Sequence, residues 1–171
     1  LVGDSGGMTT LGYKTTVPVT MDEMLHFSKA VSRGTKSAFI IGDMPFMSYQ
    51  LSDEKAVYNA SRFLSEAGCD AVKLEGGVPM CGRIRAIADA GIAIMGHLGL
   101  TPQSISAQGG YRVYGKTAQE YEKLLTDAKA VEAAGASFIL LESMPEEPAG
   151  MIRDALSIPV YGIGAGGKLD G

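Results

Sequence analysis

The chain's 171 residues are 46% hydrophobic and 20% charged, a composition typical of one well-buried globular domain over residues 1–171. A net charge of −4, without any cluster of Lys and Arg, argues against a nucleic-acid partner. The longest apolar runs fall far short of the roughly 18–20 residues that cross a bilayer, so a membrane-spanning protein is not expected.

Short apolar runs alternate with amphipathic stretches along the chain. The runs predict six strands, at 1–3, 38–42, 70–75, 92–96, 137–142 and 158–162. Their residues are apolar in succession rather than in alternation, which is typical of parallel strands covered on both faces. The stretches between them predict helices at 21–33, 53–67, 80–90, 118–134 and 147–156. Two of these helices follow good N-cap residues, Ser52 and Thr117.

A weak internal repeat marks the passage from a helix to the next strand. EAGCDAVKLE (66–75) and AAGASFILLE (133–142) share an Ala-Gly pair, six residues and then Glu. DAGIAIMGH (89–97) begins in the same way and reaches His97 after five residues. Because glycine at C′ accepts the left-handed conformation that ends a helix, each unit predicts a helix end, a short strand and a polar residue at the end of that strand.

Alternating strands and helices imply parallel strands joined by right-handed crossovers. The C-terminal ends of such strands lie on one edge of the sheet, where α/β folds bind their ligands. Five polar residues are therefore expected to converge on this edge: Asp4, Asp43, Glu75, His97 and Glu142. Six strands fit either an open doubly wound sheet or six of the eight strands of a barrel, and the pattern alone does not choose.

Four carboxylates at one edge would repel each other and raise each other's pKa values unless a divalent cation joined them. Oxygen ligands without a Cys partner favour Mg²⁺ over Zn²⁺. Lys73 lies two residues before Glu75 on the same side of its strand, where it would neutralise an acid or hold a substrate carboxylate. The alternatives are helix-capping or solvated acids, a structural ion pair at Lys73, and a core residue at His97.

Two glycine-containing segments could form functional loops. GIGAGG (162–167) has the spacing of G-x-G-x-x-G, but the remaining KLDG predicts no helix, so a Gly-rich loop is favoured over a dinucleotide site. GGYRVYGKT (109–117) places two Tyr and two basic residues in a long loop between the strands at 92–96 and 137–142. Loops of this length are often functional, and this one predicts either a lid or a subunit contact.

The chain resembles the ketopantoate hydroxymethyltransferase family in seven segments that occur in order over essentially its whole length. GHLGLTPQS (96–104) and VKLEGG (72–77) are the most specific of them. The others are VGDS (2–5), GDMPF (42–46), GGYRVYGKT (109–117), LLESMP (140–145) and IPVYGIGAG (158–166). The resemblance implies an α/β fold, an incomplete (β/α)₈ TIM barrel holding strands two to seven. The abrupt start at Leu1 likewise suggests a piece of a longer protein.

The resemblance implies a Mg²⁺-dependent transferase of pantothenate and coenzyme A biosynthesis. Such an enzyme transfers a hydroxymethyl group from 5,10-methylenetetrahydrofolate to 3-methyl-2-oxobutanoate through a Mg²⁺-stabilised enolate, giving 2-dehydropantoate. By the same resemblance Asp4 and Asp43 bind the Mg²⁺ directly, which also places them at the substrate. Glu75 would support the metal site through water.

The resemblance also assigns the residues that handle the 2-oxo acid. Ser5 and Lys73 match groups that bind it, and His97 matches a residue that lines the same pocket. Glu142 matches the proposed general base. A 2-oxo acid and a folate are thus the expected small-molecule partners, and a large homo-oligomeric ring the expected assembly.

Two other functions remain open at this stage. One is a Mg²⁺-dependent enolate enzyme of the phosphoenolpyruvate mutase and isocitrate lyase type, and the other is a non-catalytic barrel module in which the acids serve stability. Cys69 and Cys81 form neither a metal spacing nor a disulfide framework. A reducing cytoplasm is therefore the simplest expected location.

Overall fold

The structure, a computed structural model, describes residues 1–171 and contains one parallel sheet of five strands. The strands are β1 (Ile41–Asp43), β2 (Ala71–Glu75), β3 (Ala93–Gly99), β4 (Phe138–Glu142) and β5 (Val160–Ile163). They are hydrogen-bonded neighbours in the order β1-β2-β3-β4-β5. On the open side of β1, Val2 forms a single parallel bridge to Gly42, which adds a sixth chain segment to the edge.

This strand order distinguishes a barrel wall from an open doubly wound sheet. In a doubly wound sheet the strand order reverses at a switch point, whereas in a (β/α)₈ barrel each strand pairs with the next one along the chain. Every pair from β1 to β5 is parallel and sequential, with no reversal. The fold is therefore α/β, a partial barrel, as the family resemblance implies.

Seven α-helices accompany the sheet: α1 (Gly6–Thr9), α2 (Met21–Gly34), α3 (Asp53–Ser65), α4 (Cys81–Asp89), α5 (Ile105–Gln108), α6 (Ala118–Ala133) and α7 (Glu146–Asp154). Short 3₁₀ turns occur at Val78–Met80 and Pro102–Ser104. The five helices predicted from the sequence are confirmed within two residues at each end. Ser52 and Thr117 cap α3 and α6 as predicted, each accepting a hydrogen bond from a backbone amide three residues on. None of the helices combines the length and the apolar character needed to cross a membrane.

The strand boundaries differ from the predictions where sheet partners decide them. The predicted strand at 1–3 is only the bridge at Val2, whose amide donates to Ile41 O at 2.8 Å. The strand predicted at 38–42 begins only at Ile41, where pairing with Ala71 of β2 starts. The strand predicted at 92–96 instead runs to Gly99, because Leu98 and Gly99 pair with Leu141 and Glu142 of β4.

The two faces of the sheet bury different sets of residues. The outer face packs on the helices in a cluster of 31 buried residues that includes Val72, Leu74 and Ile94. The inner face carries a second, smaller cluster of four: Ile41, Ala71, Met95 and Leu140. Since side chains alternate along a strand, the residues two places beyond these also face inward. The barrel interior thus has an apolar floor, and the next layer towards the strand C-termini forms its mouth.

Candidate active site

The inward-facing residues change from apolar to charged towards the C-terminal ends of the strands. Examples are the pairs Ile41 and Asp43 on β1, Met95 and His97 on β3, and Leu140 and Glu142 on β4. The charged layer borders a cavity of about 320 Å³ at the mouth of the partial barrel. All seven site residues predicted from the sequence line this cavity: Asp4, Ser5, Asp43, Lys73, Glu75, His97 and Glu142.

Asp4 and Asp43 lie side by side at one wall of the cavity, and both are buried. The backbone amide of Asp4 donates to Asp43 Oδ2 at 3.0 Å, and Asp4 Oδ2 accepts from Gln103 Nε2 at 2.9 Å. Burial, followed by repulsion from Asp43, raises the pKa of Asp4 to about 7, although Lys73 opposes this rise. The two acids are thus held close together at an energetic cost that a cation would relieve.

Lys73 is the cation at the centre of the cavity wall. Its Nζ lies 2.9 Å from Asp43 Oδ1 and 3.7 Å from Glu75 Oε1. The contact with Asp43 is a buried ion pair. Burial acts to lower the pKa of Lys73, but attraction to Asp43 and then Glu75 outweighs it, so the pKa is raised and the side chain is charged.

His97 connects Lys73 to Glu142. Burial, and then the neighbouring charge of Lys73, lower the pKa of His97, so its imidazole is neutral near pH 7. Lys73 Nζ lies 3.2 Å from His97 Nδ1, and an ammonium can only donate, so the imidazole proton is on Nε2. Nε2 in turn lies 3.2 Å from Glu142 Oε2, outside ideal hydrogen-bond alignment. The imidazole therefore presents its one N–H to Glu142.

Glu75 is buried with one oxygen satisfied and one left without a hydrogen bond. Its Oε2 accepts from the backbone amide of Gln103 at 3.0 Å. Its Oε1 has no hydrogen-bond partner and lies 3.7 Å from both Lys73 Nζ and His97 Nδ1. Burial raises the pKa of Glu75 to about 8, with Lys73 opposing and the nearby aspartates adding to the rise.

Ser5 and Glu142 are the accessible members of the site. Ser5 is exposed next to α1, and its hydroxyl makes no capping hydrogen bond. The Glu142 side chain is 20% exposed, whereas those of Lys73 and His97 are at most 4% exposed. Ser5 and Glu142 are therefore the more exposed polar groups of the cavity, and the other charged groups lie nearly buried in its wall.

The donor set suits a hard cation that keeps part of its own hydration. No three His, Cys, Asp or Glu side chains are grouped closely enough to hold a metal ion by themselves. Mg²⁺ is usually held by one or two carboxylates together with waters and substrate oxygens, so three protein ligands are not required. Asp4 and Asp43 supply the adjacent carboxylates, and Glu75 Oε1, which has no hydrogen-bond partner, is a further acceptor. The residues present fit Mg²⁺ in this way.

Three residues at the site were missed by the sequence analysis. Gln103 and Tyr49 are buried behind the acids, and Tyr111 lines the cavity from the 109–117 loop. Gln103 lies within the specific segment GHLGLTPQS, which was the available signal, but it follows the strand end by several residues. Nothing local to Tyr49 distinguishes it from other loop residues.

The chain was compared with known proteins. It matches the family model described as ketopantoate hydroxymethyltransferase over residues 1–171. It is 54% identical over 171 residues to the 3-methyl-2-oxobutanoate hydroxymethyltransferase of Clostridium acetobutylicum, covering 100% of this chain and 62% of that protein. It is 56% identical to the protein of the same name from Dehalococcoides mccartyi, covering 100% and 61%. The chain therefore spans about three fifths of the length of these curated relatives.

Solved structures show the same fold at low sequence identity. The crystal structure of 2,3-dimethylmalate lyase, a member of the PEP mutase/isocitrate lyase superfamily, aligns with a TM-score of 0.69 and 18% identity. That alignment covers 92% of this chain and 55% of the lyase chain. A putative phosphonomutase from Burkholderia cenocepacia aligns with a TM-score of 0.69 and 17% identity over 94% and 67% of the two chains.

Proposed function

Because the chain belongs to the ketopantoate hydroxymethyltransferase family, we propose that its cavity is the site of hydroxymethyl transfer to 3-methyl-2-oxobutanoate. The donor would be 5,10-methylenetetrahydrofolate, and with one water the products are 2-dehydropantoate and tetrahydrofolate. The observation that carries this proposal is the convergence of all seven predicted residues on one cavity at the barrel mouth. This product would place the protein in pantothenate and coenzyme A biosynthesis.

Mg²⁺ is the cofactor that we assign to this site. Asp4 and Asp43 would hold it directly, and Glu75 would support it through water. When bound, the ion supplies Lewis-acid stabilisation of negative charge on the keto oxygen of the substrate. The raised pKa of Asp4, caused by burial and by Asp43, supports this assignment, because a dication would relieve the same repulsion.

The 2-oxo acid would bind between the charged wall and the apolar floor. Lys73 and Ser5 offer an ammonium and a hydroxyl to its carboxylate, and a charge-assisted hydrogen bond from Lys73 is the stronger of the two. Leu140 and Ile163 line the same cavity and suit the isopropyl group at C3. A substrate with a carboxylate at one end and a branched alkyl group at the other is therefore matched at both ends.

Glu142 would act as the general base. His97 Nε2 lies 3.2 Å from Glu142 Oε2, and the other carboxylate oxygen would be left for the substrate. In the step the C3–H bond breaks, the proton passes to Glu142, and the electron pair forms the enolate. With one water, the two C–N bonds to the folate methylene carbon would break, which releases tetrahydrofolate and leaves that carbon as formaldehyde. C3 would then bond to this carbon, and the alkoxide formed would take the proton held by Glu142 to give the hydroxymethyl group. Lys73, fixed in its cationic form, offsets the negative charge that develops beside it.

Proton exchange at C3 tests this function without the folate. The purified protein is mixed with 3-methyl-2-oxobutanoate and Mg²⁺ in D₂O, and loss of the C3 proton signal is followed by NMR. We expect Mg²⁺-dependent exchange, lost in Glu142→Gln. Glu122→Gln, the same chemical change at an exposed position of α6, is the matched control and should exchange normally. Equal exchange with Glu142→Gln would reassign the base, and no exchange by folded wild-type protein would count against the transferase.

Product analysis separates this function from other enolate chemistry on the same fold. With 5,10-methylenetetrahydrofolate present, we expect stoichiometric 2-dehydropantoate and tetrahydrofolate. A carbon–carbon lyase or a phosphoryl mutase would show no dependence on folate. Exchange at C3 without any folate-dependent product would therefore keep the enolisation step and reject the hydroxymethyl transfer.

A further inference from the structure

A buried tyrosine–glutamine pair connects the acids of the site from behind. Gln103 belongs to the 3₁₀ turn Pro102–Ser104 that follows β3, and Tyr49 belongs to the loop that follows β1. Both side chains are almost fully buried, at 3% and 1% exposure. Neither lines the cavity that the seven site residues surround, so neither is placed to touch a substrate.

The amide of Gln103 is satisfied in one orientation only. Its Nε2 donates to Asp4 Oδ2 and to Met44 O, both at 2.9 Å. Its Oε1 accepts from the hydroxyl of Tyr49 at 2.7 Å. A flipped amide would set an oxygen against two acceptors, so Asp4 and Met44 O fix which end of the amide faces the acids, and the Tyr49 hydroxyl anchors the other end.

The same pair also fixes Glu75. The backbone amide of Gln103 donates to Glu75 Oε2 at 3.0 Å, and the backbone amide of Glu75 donates to the Tyr49 hydroxyl oxygen at 3.1 Å. Asp4 and Glu75 come from chain segments 71 residues apart, yet both receive a hydrogen bond from one glutamine. Gln103 therefore links the two acids, and Tyr49 holds Gln103 in place through its own hydrogen bonds to Gln103 Oε1 and to the amide of Glu75.

We propose that Gln103 and Tyr49 are positioning residues for the cation site, acting through Asp4 and Glu75. This inference rests on the proposed function, which places Mg²⁺ at these acids. Buried carboxylates that repel each other turn apart or take up protons unless donors hold them in place. Partners that orient metal ligands commonly change metal affinity or activity by roughly 10- to 100-fold when they are removed.

Two substitutions isolate the pair. Tyr49→Phe removes one oxygen and keeps the ring that fills the core. Gln103→Met keeps an unbranched chain of similar length and removes the amide that faces Asp4. The matched controls are Tyr58→Phe and Gln119→Met, because both of these side chains are exposed on helices away from the cavity. Thermal unfolding of each variant shows whether it is folded before any binding is measured.

The deciding measurement is the Kd for Mn²⁺, read from its electron paramagnetic resonance signal without substrate. We expect Tyr49→Phe and Gln103→Met to weaken Mn²⁺ binding by roughly tenfold or more, with the controls within twofold of the wild type. A structural role alone would lower the Tm and leave the Kd of the folded variant unchanged. Folded variants with wild-type Kd values would overturn the proposal.

The outcomes for the two proposals can be told apart. If the wild type binds Mn²⁺ and the two variants bind it equally well, the positioning role fails and the proposed function stands. If the wild type binds no Mn²⁺, the cation site and the positioning role both fail. If one variant does not fold, the other still decides, because the two changes remove different atoms of the same hydrogen-bonded pair.

Discussion

At the scale of single residues, Lys73 is the buried cation among the four carboxylates at the barrel mouth. Its ammonium contacts Asp43, Glu75 and His97 from one buried position. Removing one partner of a buried ion pair typically costs about 3–5 kcal/mol, because the other charge is left uncompensated. Removal of the Lys73 ammonium should therefore lower the stability of the folded chain, in addition to any effect on substrate binding.

We expect Lys73→Met to lower the free energy of unfolding by about 3–5 kcal/mol at pH 8, and by less at pH 5. The difference arises because Glu75, whose pKa burial raises to about 8, is protonated at the lower pH and no longer needs a cation. Urea denaturation at the two pH values measures both numbers. Lys129→Met, at an exposed position of α6, is the control. If Lys73→Met lowered the free energy of unfolding equally at both pH values, lost packing rather than lost charge would explain the effect.

The acids themselves predict how stability varies with pH. Burial, as the main cause, raises the pKa of Asp4 from 3.8 to about 7 and that of Glu75 from 4.5 to about 8. The folded state therefore keeps protons that the unfolded chain releases, so the free energy of unfolding falls as the pH rises from about 4 to about 8. Below about pH 4 Asp4 and Glu75 are protonated in the folded and in the unfolded state, so their burial no longer lowers the free energy of unfolding.

We expect Asp4→Asn to flatten this pH dependence, since an amide has no proton to release over the range. Urea midpoints measured without divalent cations from pH 5 to pH 8.5 give the slope for each variant. Asp89→Asn, an exposed change at the end of α4, should leave the wild-type slope intact. A stability that rises with pH across this range would contradict the raised pKa values.

Sequence reasoning located the residues whose position depends on local pattern. Asp43, Glu75, His97 and Glu142 end apolar runs, and that alone puts them at one edge of a parallel sheet. Gln103 could not be assigned in the same way, because its role depends on contacts with residues 28 and 99 positions away. Such contacts arise only when distant chain segments assemble around the sheet, which no short window of sequence encodes.

At the scale of elements, the turn after β4 ties the 109–117 loop to the candidate base. Ser143, next to Glu142, has a φ of 54°, in the left-handed region that side chains other than glycine rarely adopt. The amide of Tyr114 donates to Ser143 O at 2.8 Å, and the Ser143 hydroxyl donates to Arg112 O at 3.3 Å. The loop is therefore fastened to the end of β4 at two points.

A β-branched residue at this turn should be poorly tolerated. We expect Ser143→Val to lower the free energy of unfolding by about 1–3 kcal/mol, because valine resists a positive φ. We also expect faster amide exchange at Tyr114. Ser143→Asn is the control, since asparagine accepts the left-handed conformation more readily. Thermal unfolding and hydrogen exchange give the two readouts, and wild-type values for Ser143→Val would show that the turn can relax without cost.

Element boundaries show where prediction from sequence ends. The helix ends follow from caps such as Ser52 and Thr117, which lie within the chain segment that they cap. The strand ends depend on neighbouring strands: β3 continues past His97 to Gly99 because β4 pairs with its last two residues. Helix limits are therefore a local property of this sequence, and strand limits are a property of the assembled sheet.

At the scale of the whole molecule, the barrel interior is divided into two zones. A cavity of about 460 Å³ on the inner face is lined only by hydrophobic residues, including Phe39, Phe138 and Tyr161. The charged cavity lies at the other end of the same strands. The apolar cavity is also bordered by Ile41, Leu140 and Ile163. Of these three, Leu140 and Ile163 line the charged cavity as well. Met95 and Leu140 are buried next to the charged layer, and apolar surroundings make charges interact more strongly than they would in water.

This arrangement predicts that a cation and the 2-oxo acid stabilise the molecule together. If both occupy the charged cavity and share contacts, each raises the affinity for the other, so their joint effect exceeds the sum of their separate effects. A ligand at a concentration of 100 times its Kd raises the free energy of unfolding by about 2.7 kcal/mol. Coupling between the cation and the 2-oxo acid adds to this stabilisation. Independent sites, as in a purely structural metal module, would give additive effects.

We expect the Tm to rise more with Mg²⁺ and 3-methyl-2-oxobutanoate together than the two separate shifts added. The control ligand is 3-methylbutanoate, which keeps the branched chain and the carboxylate but lacks the keto oxygen, and it should show additive behaviour with Mg²⁺. The matched variant is Asp43→Asn, which weakens the cation site and should abolish the excess. Additive shifts for the wild-type protein would mean that the acids at the strand ends serve the fold alone, because a site that polarises the keto group must bind the ion and the substrate in contact.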